Sequence, residues 1–120
     1  MSPPTDSAGD LAPEGRPVKV EILYFDGCPS HEALLPRARA LAAQYGAEVE
    51  LRRVETPEAA LAERFLGSPT VRVDGEDVDR GAPGRGAFGL TCRVYHTEEG
   101  HSPVPPDQWI VDALRRARAA

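Results

Sequence analysis

At 120 residues, with a formal net charge of −5 and 41% apolar side chains, the chain has the size and composition of one modest domain. The acidic balance argues against nucleic acid or an anionic membrane as partner, and no apolar run is long enough to span a bilayer. Neither a basic start nor an apolar leader opens the sequence, so a cytoplasmic setting is expected, where two cysteines do not ordinarily form a structural staple.

Residues 1–17 are rich in Pro, Ser, Gly and Asp, with scarcely an apolar side chain beyond Leu11, and read as a loose tail before a domain over 18–120. From Val18 to Phe25 a β-branched, apolar run reads as a largely buried strand that stops at the turn-forming pair Asp26-Gly27. Cys28 and Pro29 follow, and then a helical stretch from Ser30 to Gln44. Ala33, Leu34, Ala38, Leu41, Ala42 and Tyr45 make its apolar stripe, and Pro36 should kink it. Gly46 stops that helix, and Val49–Val54 reads as a second strand, parallel to the first because a helix connects them. Thr56-Pro57-Glu58 opens a helix whose buried side is Ala59, Ala60, Leu61, Phe65 and Leu66, with Gly67 as its stop. Ser68 to Val78 reads as a short strand, an Asp74-Gly75 hairpin turn and a partner strand. An enlarged Gly- and Pro-rich loop over 80–106 holds one apolar island, Phe88 to Tyr95. A last helix from Pro106 to Ala119 turns Trp109, Ile110, Ala113, Leu114 and Ala117 to one side.

The placement of Cys28 stands out chemically. A thiol at the mouth of a helix faces unpaired N–H groups and the positive dipole end, and both favour the reactive thiolate. The order strand, turn, Cys28-Pro29, helix resembles the active-site corner of the thioredoxin and glutaredoxin superfamily, with Ser30-His31 where those enzymes usually continue Cys-x-x-Cys. Ser68-Pro69-Thr70 is similar to that superfamily's cis-proline loop, and the element order β-α-β-α-β-β-α to its minimal fold. The resemblance implies an α/β thioredoxin-like domain, with a mixed four-stranded sheet and helices on both faces. It further implies a partly exposed nucleophile at Cys28, and Ser68, Pro69 and Thr70 as the edge that meets an extended substrate. The phrases around Cys28, Leu66–Thr70 and Cys92-Arg93-Val94-Tyr95 also resemble small bacterial thioredoxin-like proteins, some described as related to alkylmercury lyase.

His31 stands in the place of the resolving cysteine, where it could pair with the thiolate or donate a proton to a leaving thiol. Cys92 in the long loop is either a packing residue or the missing second thiol, and the outcome rests on whether the two Cα atoms approach within roughly 7 Å. Cys28, His31, Cys92 and His96 together have the donor set of a tetrahedral zinc site. The two thiols alone would suit a soft ion, copper(I) or mercury(II). The acid that thioredoxins bury beneath the nucleophile has no counterpart at the end of the first strand, Ile22 to Phe25.

The function expected from these residues is thiol–disulfide exchange through Cys28, with Cys92 as second thiol, on a disulfide-bearing protein or a small-molecule thiol. No cofactor is expected. A non-catalytic soft-metal binder using Cys28 and Cys92 is one alternative. A redox-inactive module that pairs a peptide with the Ser68 edge is another.

Overall fold

Lys19–Tyr24 forms β1, the strand on which everything else is laid. The structure is a computed structural model that describes residues 17–119; the tail expected over 1–17 lies, except for Pro17, outside the described residues. Along β1 the side chains alternate between two faces, as the pleat requires. Val20 and Ile22 point one way, into a cluster with Leu34, Ala38 and Ala42 of α1 (Ser30–Gln44) and Ile110, Ala113 and Leu114 of α3 (Asp107–Ala119). Leu23 points the other way, onto Val54, Ala60 and Phe65. Apolar side chains on both faces of one strand call for helical cover on both, so the sheet is a middle layer.

That sheet is mixed and four-stranded, in the order β2-β1-β3-β4. β2 (Glu48–Arg53) runs parallel to β1, and β3 (Thr70–Val73) runs antiparallel on its other side, with Ile22 opposite Val71. The edge strand β4 (Glu76–Asp77) joins β3 through Asp74 and Gly75, whose φ values of 50° and 88° make the two-residue hairpin turn expected of that dipeptide. The architecture is thus α/β, as the sequence implied. α1 spans the expected residues and continues through Pro36.

Two elements depart from the sequence reading. α2 covers only Pro57–Ala62, after a Thr56 cap whose hydroxyl accepts from the Ala59 amide at 3.0 Å. It stops early because Arg64 takes the left-handed conformation (φ 55°), with Phe65 N–H on the Ala60 carbonyl and Arg64 N–H on that of Leu61. This is a Schellman ending, completed by contact between Phe65 and Ala60. Leu61, expected inside, is left 67% exposed. The long loop also holds structure that the sequence did not suggest: a 3₁₀ turn at Ala82–Gly84 and a hairpin of β5 (Tyr95–Thr97) with β6 (Gly100–Ser102). The hairpin sequence is almost wholly polar, so it lacks the apolar alternation that marks a half-buried strand. Among the described residues no helix is long and apolar enough to cross a membrane.

Candidate functional site

β1 delivers the chain to the Asp26-Gly27 turn, and the Cys28 amide closes it by donating to the Phe25 carbonyl at 3.2 Å. α1 begins at Ser30 without a side-chain cap, so its first amides keep free donors. The Cys28 sulfur sits against them. The sequence implied a partly exposed nucleophile; instead Cys28 is fully shielded from solvent, and Cys92 is exposed.

The cover over Cys28 is the chain's own loop. Ser68 donates its amide to the Thr91 carbonyl at 2.8 Å and accepts the Arg93 amide at 2.9 Å, a parallel bridge centred on Cys92. The Ser68 carbonyl also accepts the Cys28 thiol at 3.4 Å, and the Ser30 hydroxyl lies 3.6 Å from the same sulfur. Cys28, Ser68 and Cys92 are therefore neighbours, and the sixty-odd residues that separate the cysteines in sequence close back to this corner.

The electrostatics of the two thiols run in opposite directions. Burial pushes Cys28 up, but the Cys92 thiol, the Ser30 amide and hydroxyl, and Ser68 together outweigh it, and Cys28 lies below the ordinary thiol range. Cys92 is raised, first because its thiol hydrogen is held by Cys28, with burial and the charge on Cys28 adding to it. When neutral, Cys28 spends its own hydrogen on the Ser68 carbonyl; once ionised, it accepts from Cys92. The Ser68 hydroxyl is buried without a hydrogen-bond partner, and it adds to the lowering of Cys28.

His31 does not reach the sulfur. Its ring stacks on Tyr24 with centroids 4.1 Å apart, and Nδ1 lies 3.2 Å from the Cys28 carbonyl oxygen, fixing the helix mouth rather than the thiol. The Ser68–Pro69 bond is cis, as the resemblance implied. The substrate edge inferred from Ser68, Pro69 and Thr70 is, however, already in use. Besides the Ser68 pairing with residues 91 and 93, Pro69 offers its carbonyl to the Tyr95 hydroxyl at 2.6 Å, and Thr70 donates its hydroxyl to the Gly67 carbonyl.

A buried ion cluster that the sequence reading missed anchors this loop. Arg93, 3% exposed, makes a two-point contact with Asp77 (2.7 and 3.1 Å), approaches Asp79 at 3.5 Å, donates to Thr70 at 3.2 Å and lies over the Tyr95 ring. The signal was a single arginine inside an apolar island, with Asp77 and Asp79 as the carboxylates to match it. Asp79 is also the one buried acid among the described residues, and it serves Arg93 and Arg85 rather than the cysteine. Gly67, read from the sequence as the stop of α2, lies beyond that helix's end at Ala62 and serves this loop instead. At φ 128°, a Cβ there would sit 3.0 Å from the Arg93 backbone, so only glycine lets the loop lie this close.

No group of three or more His, Cys, Asp or Glu side chains is placed to hold a metal among the described residues. The zinc set of Cys28, His31, Cys92 and His96 is not assembled: His31 lies on Tyr24, and His96 packs against His101 across the β5–β6 hairpin. A groove of about 510 Å³, lined in part by Arg64, Arg72, Arg80 and Phe88, includes neither cysteine. No protein-family model matches the chain, and neither a curated protein nor a solved structure matches it.

Proposed function

We propose that this chain is a thioredoxin-like thiol protein that performs thiol–disulfide exchange with Cys28 and Cys92 as its redox pair. The observation that carries the reading is that Ser68 brings both cysteines to one corner, its carbonyl taking the Cys28 thiol at 3.4 Å and its backbone pairing across Cys92, with Cys28 lowered and Cys92 raised by their mutual contact. Such a pair holds a single negative charge on a defined sulfur, the starting condition for exchange. The sheet order β2-β1-β3-β4, with a cysteine at the start of α1 and a cis-proline before β3, supports the thioredoxin-like assignment. A cytoplasmic setting, where disulfides are transient, suits a pair that cycles.

Oxidation joins the two sulfurs with loss of two electrons and two protons to an external disulfide, which leaves as two thiols. The test is equilibration in dithiothreitol buffers of graded oxidation, followed by alkylation and mass measurement. A reversible two-electron transition that depends on both cysteines is the expected result. A protein whose thiols are alkylated equally in every buffer would end the proposal. A second reading, a soft ion held linearly between the two sulfurs, has support in the same geometry. Metal analysis of protein purified without chelators separates the two. The open-edge interaction module loses its support, because residues 91 and 93 already pair with Ser68.

A further inference from the structure

The thiol with the stabilised charge is the one no partner can reach. Cys28 has no solvent exposure, while Cys92, in the strap over residues 91–93, is exposed even as its thiol meets Cys28. The strap is firmly fixed: Ser68 bonds it on both sides of Cys92, and the buried Arg93 and Tyr95 root it in the interior. Leu90 packs against the Leu23 cluster just before it. Gly67 supplies the clearance it needs.

We infer that Cys92 is the sulfur at which external partners exchange, that Cys28 acts only from within, and that the partner is a low-molecular-weight thiol or its disulfide. The inference rests on the exchange reading above. A peptide that extended itself along Ser68 would have to displace the strap, whereas a small thiol needs access only to the exposed Cys92.

In the oxidised protein an incoming thiolate attacks the Cys92 sulfur. The new sulfur–sulfur bond forms as the Cys92–Cys28 bond breaks, and the electron pair departs with Cys28. That thiolate is received at the start of α1, with the Ser30 hydroxyl 3.6 Å from the sulfur. A second external thiolate attacks the outer sulfur of the mixed disulfide, releasing the small disulfide, and the Cys92 thiolate takes a proton from water. Two electrons thus pass from two external thiols to the protein. Oxidation of the protein by the small disulfide retraces these steps through the same intermediate. Attack on Cys28 would meet a closed surface and expel Cys92, the poorer leaving group of the two.

The test uses β-mercaptoethanol and its disulfide. Oxidised wild-type protein is mixed with the thiol, quenched in acid within the first turnover, and digested without reduction to locate the adduct. The adduct is expected on the peptide carrying Cys92. With the disulfide as reagent, reduced Cys28→Ser should be modified about tenfold or more faster than reduced Cys92→Ser, whose thiol reacts only when the strap opens. An adduct on Cys28, or a Cys92→Ser protein that reacts as fast as Cys28→Ser, would overturn the inference while leaving the exchange reading intact. If no bond between Cys28 and Cys92 forms in wild-type protein, both fall together. The wild-type adduct decides the matter even if a variant folds poorly.

Discussion

Ser68 has no free capacity in its backbone and an unused hydroxyl in its side chain, and both facts bear on Cys28. Removing a buried hydroxyl that lacks a partner relieves a desolvation cost, so Ser68→Ala should leave the neutral, reduced protein as stable as wild type or about 1 kcal/mol more stable. The same change withdraws a donor from the thiolate. Titration of ultraviolet thiolate absorbance should therefore place the first ionisation at higher pH in Ser68→Ala than in wild type. An unchanged or lower midpoint would show that the hydroxyl does not serve the charge. Linkage gives the pH dependence its sign. Cys28, lowered on folding, contributes stability above its unfolded pKa that is lost as pH falls through the folded value. Cys92, raised on folding, contributes stability below its unfolded pKa that is lost as pH rises through the folded value. Arg93 carries a different burden. Arg93→Met would leave Asp77 without its two-point partner in a nearly buried setting, and a loss of about 3 kcal/mol is expected in urea unfolding. Arg93→Lys should recover little of it, since an ammonium cannot make the same fork.

The strap is the decisive element. Its clearance comes from Gly67, where an added methyl meets the Arg93 backbone and the backbone angle already disfavours any other residue. Gly67→Ala should lift residues 91–93, lower hydrogen-exchange protection of the Arg93 amide and speed alkylation of Cys28 in a Cys92→Ser background. Unchanged protection and alkylation would mean that the strap does not gate the buried thiol. Elements of this kind mark the limit of what the sequence disclosed. β1, α1 and the Asp74-Gly75 hairpin were legible because period, turn chemistry and capping agree at each of them. The end of α2 was not, because its stop is an arginine in a left-handed conformation, where glycine is the usual signal. The corner at Cys28 could be read from local order alone. That Cys92 would lie beside Ser68, and that Cys28 would be covered, depended on a pairing across more than twenty residues and on the buried Arg93 cluster. Nothing local announces either.

At the scale of the molecule, a bond between the two cysteines would close a loop of some sixty residues that contains α1 and α2. Chain entropy alone would make the oxidised fold more stable than the reduced one by about 4 kcal/mol. The oxidised protein should accordingly melt several degrees higher, and Cys92→Ser should remove the difference between oxidising and reducing conditions. The acidic net charge of −5 and the strap across the Ser68 edge both agree with a partner smaller than a nucleic acid or an extended peptide. The pairing of Cys28 with Cys92 is tested most directly by mass spectrometry of non-reduced peptides after mild oxidation of the dilute wild-type protein. One linked pair of peptides, carrying Cys28 and Cys92 from the same chain, is the predicted result. Oxidation that yields only intermolecular dimers, or leaves both thiols free, would contradict it.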